Sequence, residues 1–288
     1  MPFTGNCRYL RAPLIIVVSG YPFKPLRGEI LVAQSRRSRG WERISEQIHR
    51  GAPTSNISMK IDPIYIFRKT WATYQKVISH NLMFHREMLT AVKKLLESHP
   101  GPLNVLDLGC GDATHIGKML NPGQVAEYCG CDLSPYALDV ARKNLEPFGA
   151  RVNLLCRDMV AVLREAPANH FDVVYSGYAL HHLSLEEKQT FFTESRRTLR
   201  QNGQVILVDV MREEEQPRPA YLDSYNGAVA ARWEALTTHE RDQVQEHIRN
   251  CDFPETPTDL RMLAGKAGLT ICRRLEKQTW HEAWCYSA

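Results

Sequence analysis
No apolar run in the chain exceeds five residues, and about 18 are needed to span a bilayer as a helix. A hydrophobic membrane anchor is therefore not expected. Cysteine is sparse, eight in 288 residues, with no secretory hydrophobic segment of ordinary length ahead of them. That excludes a disulfide-dense secreted scaffold and points to reduced thiols in a cytoplasmic setting. The net charge is only +4, too small to call for a nucleic-acid partner by itself. There is no internal repeat and no low-complexity tract. What is present is an ordinary globular balance, 43% hydrophobic and 24% charged, which excludes a fully disordered chain.

The charge is unevenly placed. Residues 1–58 hold nine Lys and Arg against three Asp and Glu, a net of +6, while residues 59–288 carry a net of −2. This leader is Arg-rich and acid-poor, with six serines and no sustained helical or strand period. Such composition fits an organellar transit segment. It equally fits a flexible tail or an upstream extension, because Met59 would make a sensible start for the regular part of the chain.

From residue 59 the pattern is that of one domain. Trp71, Tyr74, Ile78, Leu82, His85, Leu89, Val92 and Leu96 recur at steps of three and four, which predicts one amphipathic helix over 70–99. Five short apolar strands come next, over 105–108, 125–131, 152–156, 171–175 and 204–210. Helices separate them. Ser134-Pro135 opens one, and Ser184-Leu185-Glu186-Glu187 forms a capping box for another. This alternation predicts an α/β fold with a mostly parallel, doubly wound sheet covered on both faces. Residues 211–258 break the rhythm as a polar helical insertion anchored by Tyr221, Tyr225 and Trp233. A helix opening at Thr256-Pro257 and two closing strands, 269–275 and 280–286, complete the chain.

The chemical signal lies at the carboxyl ends of these strands. Asp107-Leu108-Gly109-Cys110-Gly111 follows the first strand, where a glycine loop lets a ligand approach the backbone. A dinucleotide fits this poorly: Thr114 stands at the third glycine of the Gly-x-Gly-x-x-Gly pattern, and Asp107 and Asp112 would repel a pyrophosphate. The same carboxylates favour an ammonium or sulfonium group. Asp132 ends the second strand, where a carboxylate can accept from both hydroxyls of a ribose. Asp158-Met159 follows the third strand, as an adenine contact or a helix cap. Ser176 to His182, Ser-Gly-Tyr-Ala-Leu-His-His, follows the fourth.

In this order and spacing the residues resemble the class I S-adenosylmethionine-dependent methyltransferases of small-molecule type, over roughly 70–210. The resemblance implies a seven-stranded Rossmann-like sheet with an antiparallel last strand, with 70–99 and 211–258 as lids. It implies S-adenosyl-L-methionine as cofactor. The loop Asp107, Gly109, Cys110 and Gly111 would hold its methionine part and Asp132 its ribose. Leu133 and Met159 would flank the adenine, with Asp158 at its amino group and Ser176 beside the loop.

The chemistry implied is an in-line displacement in which the protein mainly orients the reactants. A base is needed only for an acceptor that arrives protonated. His181, Tyr74 and His85 are the candidates, His181 foremost, with His182 and Tyr178 beside them. The expected acceptor is a small molecule, with neither nucleic acid nor membrane as partner. The alternatives are a methyltransferase acting on protein or RNA, a cofactor-binding scaffold without turnover, and a nicotinamide-dependent oxidoreductase. No metal is expected. Cys129 and Cys131 share a strand face but lack a second ligand pair, and His239 and His247 fit a solvated helix face.

Overall fold
A computed structural model of the chain describes residues 63–288, with side chains from Trp71 onward. The basic leader, residues 1–58, and the start at Met59 lie outside the described residues. Two helices open the described chain, α1 (Pro63–Ser79) and α2 (His85–Glu97). Then β1 (Leu103–Leu108), α3 (Thr114–Met119), β2 (Val125–Asp132), α4 (Pro135–Asn144), β3 (Val152–Cys156), α5 (Met159–Glu165), β4 (Phe171–Gly177), α6 (Leu185–Thr198) and β5 (Leu199–Val210) alternate. The insertion is α7 (Arg218–Arg232) and α8 (Thr238–Cys251), followed by α9 (Pro257–Lys266), β6 (Ile271–Gln278) and β7 (His281–Ser287).

The seven strands form one sheet in the order β3-β2-β1-β4-β5-β7-β6. Strands β1 to β5 pair in parallel, and β7 runs antiparallel to both β5 and β6. The order reverses at β1, which is buried along its whole length. Ligands in open α/β sheets sit outside the strand ends at such a switch point. One face is covered by α2, α3 and α4, through Met88, Val92, Ile116, Met119 and Ala141. The other is covered by α5, α6 and α9, through Leu163, Phe191, Phe192, Leu260 and Ala264. A third apolar cluster holds α7 and α8 against α1 through Val77, Tyr221, Tyr225, Trp233 and Ile248. Phe191 and Phe192 are fully buried, and each contributes about 1.5–3 kcal/mol relative to an exposed ring.

Local chemistry sets the element ends. Ser134 accepts from the Ala137 N–H with Pro135 in the first turn, and Ser184 and Glu187 form a reciprocal capping box. The expected single helix over 70–99 is two helices. Asn81 and Phe84 both adopt left-handed backbone, at φ 55° and 56°. The Asn81 side chain accepts from the Arg86 N–H at 2.9 Å and donates to Glu87 at 2.8 Å. Asparagine tolerates this conformation and stops helices, so the apolar period runs across a break in the backbone. The strand expected over 204–210 starts earlier, at Leu199, so Asn202-Gly203 lies inside β5 and α6 stops at Thr198. Among the described residues no helix is long and apolar enough to cross a membrane.

Candidate cofactor and acceptor site
The turn after β1 folds over the end of β2. The Gly109 and Cys110 N–H groups both donate to the Cys131 carbonyl, each at 2.9 Å. The Gly111 N–H then donates to Asp132 Oδ2 at 2.9 Å, while Asp132 Oδ1 accepts from the Ser134 N–H at 2.8 Å. Backbone donors of its own chain thereby grip both carboxylate oxygens of Asp132. Burial raises its pKa, and the Ser134, Gly111 and Leu133 N–H groups oppose the rise.

Asp107 lies beneath the loop, 2% exposed. Tyr128 Oη donates to its Oδ2 at 2.7 Å, and its Oδ1 has no partner. Burial pushes its pKa up to about 7; the tyrosine hydrogen bond opposes this and the Asp132 charge adds to it. An orphaned carboxylate oxygen beside a glycine loop fits a cationic ligand group. Asp112 is already engaged, with Oδ2 accepting from Gln75 Nε2 and Oδ1 from the Thr114 N–H, each at 3.0 Å.

A cavity opens above the loop, lined by Asp107, Gly109, Cys110, Gly111, Tyr175 and Gly177 from the sheet side. Trp71, Tyr74 and Ile78 of α1 roof it, and His115 and Ile116 of α3 close its flank. Leu133, 70% exposed, and exposed Asp158 are not among the lining residues. Asp158 Oδ1 caps α5 by accepting from the Ala161 N–H at 2.9 Å. Met159 is half-buried beside Gly109. The structure thus brings Asp132 to Gly111 and Met159 to Gly109 at the glycine loop, and Tyr74 is in the cavity lining. The residues fit an S-adenosylmethionine group: an orphaned carboxylate for its cationic end, and a positioned carboxylate for its hydroxyls.

Ser176 does not join them. It is fully buried with an unpartnered hydroxyl. Its strand neighbours Tyr175 and Gly177 line the cavity, and side chains alternate along a strand, so Ser176 faces the opposite layer. His181 is also not among the lining residues. Its ring Nδ1 and backbone N–H are both held by Asp209 on β5, and its ring centroid lies 3.9 Å from that of His182, the two rings tilted by 56°. Burial lowers its pKa, but Asp209 and Asp252 outweigh burial and the net shift is upward. A ring held by Asp209 in this way, away from the lining residues, is not placed to accept a proton in the cavity.

His85 takes the packed position that the apolar stripe predicts, on the buried face of α2 with Met88, Val92 and Leu96. It is 2% exposed, and neither ring nitrogen has a partner. Its ring lies 4.8 Å from His115, 4.6 Å from Tyr178 and 6.3 Å from Tyr74. His281, at the start of β7, extends the group through Tyr178 at 6.1 Å, and its Nε2 meets Tyr225 Oη of α7 at 2.9 Å. Burial lowers the pKa of His85 to about 2, with His115 and His281 adding to the fall. Burial also takes His115 and His281 to about 4. All three imidazoles are neutral at physiological pH. Burial likewise raises Tyr74 far above the ordinary phenol range. Tyr178 is held in left-handed backbone at φ 56° and donates from Oη to the Met83 carbonyl at 2.6 Å, tying the turn after β4 to the α1–α2 junction. Strain of this kind is stored where the surroundings over-determine it. Gln75, His115, Tyr175 and His281 carried no sequence signal for the site, and Trp71 only that of a helix stripe, because no local spacing marks which helix face meets the loop.

Residues 105–203 match the family model described as a methyltransferase domain. A carboxy-S-adenosyl-L-methionine synthase of Campylobacter concisus is 23% identical over 68% of this chain and 82% of its own length. A ribosomal protein L11 methyltransferase of Syntrophotalea carbinolica is 33% identical over 49% of this chain and 42% of its own. The chain spans between 40% and 82% of the length of the curated relatives it matches first. Human N-acetylserotonin methyltransferase, solved with S-adenosylmethionine, shares the fold at 16% identity. The match covers 78% of this chain and 59% of that one, with a TM-score of 0.51. Residues 105–203 thus match a methyltransferase domain, on a sheet whose strand order and antiparallel seventh strand give the fold shared with an S-adenosylmethionine-dependent methyltransferase.

Proposed function
We propose that this chain methylates a small-molecule acceptor held between the glycine loop and the imidazole group of α2, α3 and β7. The relatives divide on this point, since one acts on a ribosomal protein by its name and one makes a small molecule. The observation that carries the reading is His85, buried with both ring nitrogens unpartnered. Burying such groups without partners is costly, and a compact polar ligand reaching them would remove that cost. The roof formed by α1 favours an acceptor that can be enclosed over one that must lie across an open groove.

The bound cofactor supplies an activated methyl group on a sulfonium. The protein's own residues then have three tasks. Asp107 and Asp132 orient the cofactor, the α1 aromatics exclude water, and a neutral imidazole accepts a hydrogen bond from the acceptor's O–H or N–H. A pKa of about 2 to 4 makes these rings weak bases, so they aim the acceptor's lone pair rather than store its proton. Neither nucleic acid nor a membrane is proposed as partner.

Turnover of a metabolite extract with labelled cofactor tests the reading. His85→Leu is expected to lower kcat/KM for the small acceptor by about a hundredfold or more, with cofactor affinity unchanged. Label found only in protein or RNA would reject the small-molecule assignment.

Asp107 gives a second test. A carboxyl with a pKa of about 7 is mostly protonated at pH 6 and mostly ionised at pH 8, and a cationic ligand selects the ionised form. Binding below pH 7 must therefore release a proton. Cofactor affinity is expected to rise about tenfold between pH 6 and pH 8 and then level. Calorimetry in buffers of different ionisation enthalpy would read the proton directly. Asp107→Asn should flatten the profile; an unchanged profile in that variant would assign the proton elsewhere.

A further inference from the structure
Four side chains converge between the turn after β4 and the carboxyl end of α8, and methyl transfer gives them no task. Asp252 follows α8 immediately and is 4% exposed. Its Oδ1 has no hydrogen-bond partner. Three imidazole nitrogens surround that oxygen: His181 Nε2 at 3.7 Å, His182 Nδ1 at 3.7 Å and His247 Nε2 at 3.8 Å. These separations are too long for hydrogen bonds. They are close to what two ligands of one ion keep, since groups at about 2.1 Å from a tetrahedral centre lie about 3.4 Å apart. Ligand atoms of His181, His182 and Asp252 all fall within 4.8 Å of one another.

The surroundings of His181 are those of a metal-binding histidine. Its Nδ1 is engaged by the carboxylate of Asp209, itself 2% exposed, which fixes the ring and leaves Nε2 directed at Asp252. A carboxylate behind a ligating imidazole sets its orientation and raises its donor strength. Asp209 also accepts from the His181 backbone N–H at 3.0 Å, so both the ring and its backbone are fixed. His182 Nδ1 lies 3.1 Å from the Cys251 carbonyl; loading would take this nitrogen from that carbonyl or turn the ring.

We propose that His181, His182 and Asp252, with His247 completing the set, bind a divalent transition-metal ion of the zinc type. Imidazole and carboxylate donors without thiolate favour zinc over magnesium or calcium, which prefer all-oxygen sets. Four protein ligands make a closed, structural site. Its ligands come from two separate elements, the turn after β4 and the end of α8, so a bound ion would pin the helical insertion to the sheet. The Leu-His-His sequence would then serve the lid, not the reacting atoms.

The test uses full-length protein stripped with chelator and dialysed against zinc. One ion per chain is expected, at micromolar affinity or tighter, with a rise in Tm because the ion binds the native state. His247, whose side chain is 57% exposed, can be changed with little risk to folding. His247→Ala should weaken zinc about tenfold, and Asp209→Asn by about 10–100-fold through the ring it orients. Asp252→Asn should remove specific binding. Cobalt in place of zinc should show visible ligand-field bands without a thiolate charge-transfer band. The proposal is overturned if folded wild-type protein retains no zinc, or if His247→Ala and Asp252→Asn both bind as wild type. A cobalt–thiolate band would overturn it too, placing the metal on cysteines.

Discussion
Gly109→Val is expected to abolish cofactor binding and lower the stability of the domain by about 2–5 kcal/mol. Two independent costs add at this position. Gly109 has φ +75°, a conformation that a β-branched residue adopts only under strain. A Cβ there would also lie 2.5 Å from the Cβ of Ala179, in the turn after β4. Backbone separation, not a flexible side chain, sets that distance, so the turns after β1 and β4 must move apart. Both turns border the cavity, and Asp132 is gripped by the N–H of Gly111 two residues on. Displacement of the loop therefore reaches Asp132, the carboxylate proposed to orient the cofactor. Gly111→Ala is the control. Its φ is +54°, but an added Cβ would meet only Trp71 at 3.9 Å, so about 1 kcal/mol of backbone strain is expected without a clash. Thermal unfolding and calorimetric titration with S-adenosylmethionine read both effects. Wild-type Tm and affinity in Gly109→Val would mean that the close packing of the two turns is not needed for binding.

Most of the sheet was legible from the sequence because its signals are local. Short apolar runs, the Ser134-Pro135 start and the Ser184/Glu187 box each act over a few residues of chain. The glycine loop and Asp132 were legible for the same reason, since strand-end position alone brings them together. What escaped depends on contacts distant in sequence. The period from Trp71 to Leu96 continues across the break at Asn81 because both helices bury the same kind of face. His181 and His182 differ only through Asp209, 28 residues on, and Cys251, 69 residues on. His85, His115 and His281 meet across two helices and the last strand, and nothing in their spacing announces it. Ser176 is the exception. Its alternation with Tyr175 and Gly177 is local, and strand period alone puts it on the far face of β4.

Asp132→Ala tests the cofactor site with the smallest change in shape. The substitution removes the acceptor of two backbone donors, the Gly111 and Ser134 N–H groups, and the acceptor for the cofactor's hydroxyls. Hydrogen bonds to a charged acceptor contribute about 1.5–3 kcal/mol each, so losing two to the ligand should weaken binding by more than about a hundredfold. The fold itself should survive. Asp132 is only half-buried, water can reach the freed N–H groups, and the Cys131 carbonyl still anchors Gly109 and Cys110. Stability should fall by no more than about 1–2 kcal/mol. The split between the two readouts is the informative part. A large affinity loss with nearly native Tm identifies Asp132 as a ligand contact. Equal losses would make it a structural brace of the glycine loop instead. Asp132→Asn separates the cases further, because an amide oxygen can still accept from one of the backbone donors while the charge is gone. If Asn restores Tm but leaves cofactor affinity low, the charge acts on the ligand; if Asn restores both, the loop geometry is what the residue supplies.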